Sequence, residues 1–197
     1  MATTRPNKNI SDFKSKLIGG GARPNLFEVE LTTLPDGGQG WNADSFQFLC
    51  KAAALPAQTI ASIDVPFRGR IFKVAGDRTI DTWTVTVIND EDFILRNAFE
   101  NWTQQIADLT TNLGATDPSA YMTNAKVFQL GRGSSNASTD SSGNENVVLK
   151  EYEFIDIFPT SVSAIDLSYD TGDTIEEYTV EFQVQSLNLA GAGSPNG

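Results

Sequence analysis

The sequence predicts a mainly β protein, an antiparallel β-barrel or β-sandwich that carries one flanking α-helix. Several runs alternate apolar and polar residues with the period of a strand, and turn residues separate them. Only one segment repeats its apolar residues clearly at helical spacing. The chain has 197 residues, 40% of them hydrophobic, so it is long enough to bury one core and we expect one domain.

Residues 1–22 are polar, lean towards basic charge and end in consecutive glycines. We interpret them as a flexible arm. The run 26–33 then alternates apolar and polar side chains, and so does the run 45–51, so the two runs are predicted to pair as a hairpin with a long connection. Cys50 lies on the apolar side of the second run, where a lone cysteine is usually a small buried hydrophobe rather than a reactive thiol.

Residues 52–56 interrupt the strand pattern, and residues 58–65 are predicted to be extended. The stretch 67–75 then has no clean amphipathic period and concentrates local basic charge. Two interpretations remain open for it. It is either an extended loop or ribbon that reaches out from the body, or a solvated hairpin.

The run AGDRTIDTWTVTVINDE, residues 75–91, predicts a corner followed by a rigid strand and a helix. Gly76 provides the backbone freedom for a tight corner. In the strand, three threonines face one side, and Trp83 and two valines face the other. Asn89 is a natural N-cap for a helix over about residues 90–106. We interpret the apolar stripe of this helix as core packing rather than a ligand site.

The remaining segments alternate between strands and irregular connections. In chain order they are an irregular or weakly helical stretch (107–123), a strand (125–130), a mobile Gly/Ser/Asn-rich loop (131–146), a long strand stopped by Pro159 (147–158), a hairpin (164–169 with 174–187) and a loose tail (188–197). The total is about seven or eight strands and one good helix, as in a small antiparallel barrel or sandwich.

The net charge is −11 and the pI is near 4.3. This charge argues against a protein that binds nucleic acid by neutralising its phosphates, because such binding depends on Lys and Arg. An acidic wall instead repels DNA, which is useful where DNA must pass without sticking.

The chain has no histidine and a single cysteine. The commonest general base and the commonest transition-metal ligand are therefore missing, and Ser-His-Asp and Cys-His catalysis are excluded. The acidic turn with Asp166, Asp170 and Asp173 lacks the spacing of a calcium loop. We predict no enzyme activity, no cofactor and no metal site. No run approaches the ~20 apolar residues of a membrane span, so we expect a chain made in the cytoplasm without membrane insertion.

The strands themselves suggest assembly. Several have one apolar face and one face of Thr, Gln and Glu rather than Lys and Arg. If copies join edge to edge, these polar faces can line a shared, hydrated, acidic channel, and unpaired edge strands favour such pairing.

The chain resembles the tail tube proteins of contractile-tailed, T4-like bacteriophages. The resemblance covers about residues 23–187, which we take as the barrel domain between the arm and the tail. Its most specific part is AGDRT, WTVTV and NDE within residues 75–91. The supporting pieces are RPNLF (23–27), CKA with ALPA (50–57), Pro159-Thr160 and the closing hairpin (165–184).

The resemblance implies a β-barrel-like fold with a flanking helix, akin to the tube proteins of type VI secretion. It implies sixfold rings stacked into a hollow tube that a contractile sheath surrounds and a baseplate hub tips. A tape-measure protein fills such a tube before DNA passes through it without specific binding. The protein is then part of the virion tail, assembled in the host cytoplasm. The longer arm, the turn 34–44, the loop 131–146 and the tail depart from the family pattern.

Three sets of residues are candidates for contacts in such an assembly. Those for subunit interfaces are Arg23, Arg68, Arg70, Lys73, Asp77 and Arg78. Those for the lumen are Glu28, Glu30, Glu181 and Gln183, and those for the sheath are Arg96 and Glu100. An internal salt bridge at Asp77-Arg78 is the alternative to a subunit contact there.

Two other functions remain open. One is the tube of a phage-derived contractile injection system, of the type VI or tailocin kind. The other, from a different class, is a monomeric β-barrel that binds or hydrolyses a ligand.

Overall fold

The computed structural model describes residues 9–17, 21–35, 40–131 and 148–188. In these ranges the chain forms three α-helices, one short 3-10 helix (Pro118–Ala120) and eight strands. The α-helices are α1 (Ile10–Lys16), α2 (Ala43–Leu49) and α3 (Ile94–Ile106), and the strands are β1 (Phe27–Glu30), β2 (Cys50–Ala54), β3 (Gln58–Phe67), β4 (Arg70–Ile80), β5 (Trp83–Ile88), β6 (Thr123–Leu130), β7 (Val148–Val162) and β8 (Glu177–Asn188).

Six strands form one antiparallel sheet in the order β1-β6-β7-β8-β5-β2, curled into a nearly closed barrel. Helix α2 contacts both outer strands, β1 and β2. Strands β3 and β4 form a separate two-stranded sheet. The predicted mainly β class is confirmed, with α3 as the flanking helix and two short α-helices in addition.

The core lies between the large sheet and α3. Trp83 is fully buried between the rings of Phe154, at 4.7 Å, and Phe182, at 5.1 Å. From the helix, Phe99 and Trp102 each place their rings 5.9 Å from that of Phe182. The interpretation of the α3 stripe as core packing is confirmed.

Helix α3 begins later than predicted, at Ile94. Its N-cap residue, Phe93, has a left-handed backbone with φ 53°, and the side chain of Asn89 donates to Glu176 Oε2 at 2.9 Å instead of capping the helix. The predicted start at residue 90 with Asn89 as cap is wrong, because Asn89 holds the end of β5 to the start of β8.

Residues 45–49 of the predicted strand lie in helix α2, only Cys50 and Lys51 are extended, as the start of β2, and β1 pairs with β6. The side chain of Asn42 accepts a hydrogen bond from Ser45 N at 3.1 Å and caps α2. Phe46 is buried while Phe48 is 84% exposed, so the alternation does not mark a buried face. Cys50 is buried as predicted, and burial raises the pKa of its thiol to about 12.

Two predictions near the C-terminus are also wrong. Strand β7 continues through Pro159 to Val162, because Pro159 lies where the register with β8 shifts, and such irregular positions tolerate a residue without an N–H. Residues 164–169 form no strand. Strand β8 instead pairs with β7 and β5.

Helix α1 lies within the segment interpreted as a flexible arm, and Asn9 and Asp12 form a capping box at its start. Apart from Gly131 and Asn188, the predicted mobile loop and C-terminal tail lie outside the described residues. Among the helices described, none combines the length and the apolar character needed to cross a membrane.

Candidate assembly surface

Strands β3 and β4 form a long hairpin that projects from the body. They pair from Gln58 opposite Ile80 to Phe67 opposite Arg70. The two-residue turn, Arg68-Gly69, has φ values of 47° and 80°, which suit the two-residue turns favoured in hairpins. Ten residues of strand span about 33 Å. The most extensive contact with the large sheet is that of β4 with β8, near the root of the hairpin.

The register gives this hairpin one apolar face and one polar face. Val65 is opposite Phe72, and Ile63 is opposite Val74. We call the apolar face the set Ile63, Val65, Phe67, Phe72 and Val74, whose side chains are between 41% and 66% exposed. An isolated two-stranded sheet has at best marginal stability in water. This face has the composition of a buried sheet face, but it is exposed among the described residues.

The polar face of the hairpin carries a surface ion pair. Asp64 is opposite Lys73, and Lys73 Nζ lies 2.7 Å from Asp64 Oδ1. At the tip, the Arg68 guanidinium lies 5.4 Å from the centre of the Phe67 ring. Arg70 shares the apolar face because it pairs with Phe67.

The predicted corner at Gly76 is wrong. Gly76 and Asp77 lie inside β4, where the register shifts between Ile60 and Ser62 and β4 gains one residue. This is a β-bulge, which increases the local twist. A Cβ on Gly76 would lie 3.1 Å from the Ala61 carbonyl oxygen, so the close approach of the two strands favours glycine.

The Asp77-Arg78 pair is exposed on the hairpin. Arg78 donates to the side chain of Gln58. Within the part of the chain that the structure describes, Asp77 has no ion-pair partner, so the alternative of an internal salt bridge is not seen there. A subunit contact at this pair stays a prediction.

Five of the six interface candidates therefore lie on one hairpin. They are Arg68, Arg70, Lys73, Asp77 and Arg78. Arg23 is separate: it precedes β1, and its carbonyl oxygen accepts a hydrogen bond from Gln129 Nε2 at 2.8 Å. Sequence reasoning missed the apolar face, although residues 63, 65 and 67 alternate, because neighbouring Ile71 and the basic residues obscure the pattern.

The four lumen candidates lie on the side of the large sheet that faces away from the core. Glu28 and Glu30 flank the buried Val29, while Glu181 and Gln183 flank the buried Phe182. Strands β6 and β7 lie between the two pairs, which at the usual strand spacing places them about 14 Å apart. The structure brings them to one side but not into one cluster.

Of the lumen candidates, Glu181 on β8 lies beside uncharged residues of the neighbouring strand β5. Glu181 is opposite Thr84, and Thr179 is opposite Thr86. These register partners carry no positive charge. On β1, by contrast, Glu30 is opposite Lys126, which pairs with Glu151 at 2.9 Å.

The two sheath candidates form an ion pair on α3, with Arg96 Nε 2.8 Å from Glu100 Oε1. Arg96 also donates to the Ser163 carbonyl oxygen at 3.1 Å and lies 5.2 Å from the centre of the Tyr178 ring. Burial raises the pKa of the Tyr178 hydroxyl, against a smaller lowering by the Arg96 charge. Arg96 is thus engaged within its own chain, and a sheath contact here stays a prediction.

The described residues combine a filled core with an exposed apolar hairpin, an arrangement typical of the class of structural subunits that assemble with partners. Among the described residues, no group of three acidic or cysteine side chains could hold a metal ion. The family model described as phage tail tube protein matches residues 22–189, and the chain belongs to this family.

Two curated relatives support the assignment. The chain is 38% identical to tail tube protein gp19 of Enterobacteria phage T4 and 37% identical to tail tube protein gp19 of Enterobacteria phage T6. Each match spans 159 residues, which is 81% of this chain and 86% of the relative. The resemblance seen in the sequence is confirmed. The protein is a tail tube protein of the T4-like contractile kind, a structural component of the virion tail rather than an enzyme.

Solved structures share the fold at low sequence identity. The anti-feeding prophage baseplate gives a TM-score of 0.59 at 11% identity, covering 87% of this chain and 96% of that chain. The tube-terminating cap of the same particle gives 0.57 at 17% identity, covering 87% and 92%. The extended sheath-tube complex of the extracellular injection system PVC gives 0.54 at 12% identity, covering 94% and 100%.

Proposed function

We propose that copies of this chain form sixfold rings that stack into the hollow inner tube of a contractile tail, a conduit for DNA ejection into the host. The observation that supports this most is the β3–β4 hairpin, whose apolar face is left exposed by the described residues of one copy. Among the strands that the structure describes, none pairs with the outer edges of this hairpin, and open edges favour pairing with another chain.

In this proposal the sheath surrounds the tube, a baseplate hub closes its tip, and a tape-measure protein fills it during assembly in the host cytoplasm. DNA passes without specific binding because the bore is neutral or acidic. The face with Thr84, Thr86 and Glu181 is the candidate bore surface, since its register partners lack positive charge. Double-stranded DNA carries about one charge per 1.7 Å of axis, so basic residues in the bore would slow it.

The first test is electron microscopy of the purified protein. We expect stacked rings or tubes whose length grows with protein concentration. A monomer at every concentration would overturn the proposal and favour a self-contained β-barrel domain.

The bore is tested by placing Lys at Glu181 in the phage and following DNA ejection at low salt. We expect Glu181→Lys to slow ejection, because DNA phosphates are attracted to an added positive charge. Glu181→Gln is the control, since it removes the negative charge without adding a positive one. Equal ejection by Glu181→Lys and wild type would remove Glu181 from the bore.

The second candidate function is the tube of a phage-derived injection system. The fold shared with the anti-feeding prophage and PVC particles favours it. The higher identity to the two phage proteins favours the phage tail. Packaged DNA in purified particles that contain this chain would distinguish the phage tail from an injection system.

A further inference from the structure

The irregular connection 163–176 between β7 and β8 is a second exposed apolar surface, and we call it the acidic loop. Leu167 is 79% exposed, Ile175 is 72% exposed and Tyr169 is fully exposed. Together with Glu177, the loop lines an open cleft of about 660 Å³. Exposed apolar patches with a polar rim mark interaction sites.

The charge of the acidic loop is opposite to that of the hairpin. Residues 151–197 contain no Lys or Arg, and the loop itself carries Asp166, Asp170, Asp173 and Glu176. Residues 58–80 carry four basic and two acidic side chains. One of these acids, Asp64, is already paired with Lys73, so the hairpin tip presents the two arginines of the turn region.

The two surfaces also match in their arrangement. At the hairpin tip, Arg68 and Arg70 flank the exposed ring of Phe67. In the acidic loop, aspartates flank exposed apolar side chains on both sides of Tyr169. Each surface therefore has an apolar centre and a charged rim, and the rim is positive at the hairpin tip and negative on the acidic loop. Such complementarity fixes register and excludes wrong partners.

The fold places the two surfaces at opposite ends of the β5–β8 strand pair. The hairpin leads into β5, whose first residue, Trp83, is opposite Phe182. At the other end, Ile88 is opposite Glu177, and the backbone N of Asn89 donates to the Glu176 carbonyl oxygen at 2.9 Å. The five residue steps from Trp83 to Ile88 span about 17 Å. A contact between unlike surfaces at opposite ends repeats head to tail and builds an open stack.

We propose that the hairpin tip of one copy binds the acidic loop of a second copy along the tube axis. Phe67 and Phe72 cover the apolar side chains of the loop, and Arg68 and Arg70 pair with its aspartates. This contact rests on the proposed tube assembly and names the surface that receives the hairpin.

Charge exchange between the two surfaces tests this contact. The hairpin variant carries Arg68→Glu and Arg70→Glu, and the loop variant carries Asp170→Arg and Asp173→Arg. Each alone should raise the critical concentration for tube formation by roughly tenfold or more, because like charges then face each other. The chain that carries all four changes should form tubes near the wild-type concentration.

A matched control combines the hairpin variant with Asp44→Arg and Asp92→Arg, which are exposed acidic positions outside the acidic loop whose side chains make no hydrogen bond among the described residues. It has the same net charge as the four-change chain and should stay defective. Rescue by both combinations would reduce the effect to net charge and overturn the proposed contact.

A cross-link supplies an independent readout. Arg70→Cys with Asp173→Cys should give a ladder of disulfide-linked copies in wild-type-like tubes. The native Cys50 is buried, so it does not compete for these disulfides. Tubes without a ladder and without charge rescue would overturn this contact and leave the tube assembly standing. Wild-type protein that never polymerises would overturn the assembly itself. If the loop variant forms normal tubes in the absence of sheath but no longer binds the sheath protein, the acidic loop contacts the sheath and not the hairpin.

Discussion

The body and the hairpin of this subunit both contain large apolar side chains, but the body buries them and the hairpin exposes them. In the body, Trp83 and Phe182 are fully buried under α3. In the hairpin, Phe67 and Phe72 lie on one face of the two strands, yet each is 66% exposed. Within the described residues the body buries its own aromatic side chains, whereas the hairpin leaves its aromatic side chains exposed, and in the proposed tube a neighbouring copy covers them. Substitutions in the two regions should therefore separate folding from polymerisation.

The largest effect on folding is expected for Phe182→Ala. The ring lies 5.1 Å from that of Trp83 and 5.9 Å from those of Phe99 and Trp102, and removing a buried aromatic ring usually costs about 3–5 kcal/mol of unfolding free energy. Urea denaturation of the isolated subunit measures this loss. Phe72→Ala is the matched control and should stay within about 0.5 kcal/mol, because its ring is already in water. Equal losses would contradict the division into body and hairpin.

The opposite result is expected for assembly. Phe72→Asp places a charge at the centre of the apolar face and should raise the critical concentration for tube formation by roughly tenfold or more, since a charge buried without a partner is costly. Sedimentation of tubes measures it, and circular dichroism should show an unchanged fold. Leu109→Asp is the control because Leu109 is 92% exposed and lies off the hairpin. If both variants polymerise alike, the apolar face is not an interface.

A smaller effect is expected for Gly69→Ala at the hairpin turn. The φ of Gly69 is 80° and an added Cβ meets no atom within 4 Å, so the cost is conformational alone, about 1 kcal/mol. A less ordered tip should raise the critical concentration about fivefold. Ser62→Ala, a small change on the polar face of the same hairpin, should leave polymerisation unchanged. A Gly69→Ala variant with wild-type assembly would show that this turn changes conformation on docking.

The sequence predicted best where one chain supplies both sides of a contact. The alternation of β5 was interpreted correctly because Trp83, Val85 and Val87 are buried within the same copy. The run 45–51 was misassigned because seven residues fit both periods. Phe46 and Phe48 suggest a strand, and the Asn42 cap decides for a helix.

Other features depend on tertiary or quaternary context. Pro159 ends a strand in most contexts, but the register shift beside it removes the need for its missing N–H. The interface candidates on the hairpin stand out by their charge, whereas the apolar face was missed because Ile71 and the basic residues interrupt its alternation. The receiving surface, around Tyr169, has no periodic signal since the loop has no regular structure.

The ion pair on the polar face of the hairpin has a consequence for the finished wall. In the proposed tube a neighbour covers Phe67 and Phe72, and we expect the polar face to stay in water, where Lys73 Nζ lies 2.7 Å from Asp64 Oδ1 and the two charges offset one another. A chain with a net charge of −11 thus contributes a strip that is electrically balanced. Repeated from copy to copy, such strips would neither hold a passing polyanion nor push it aside.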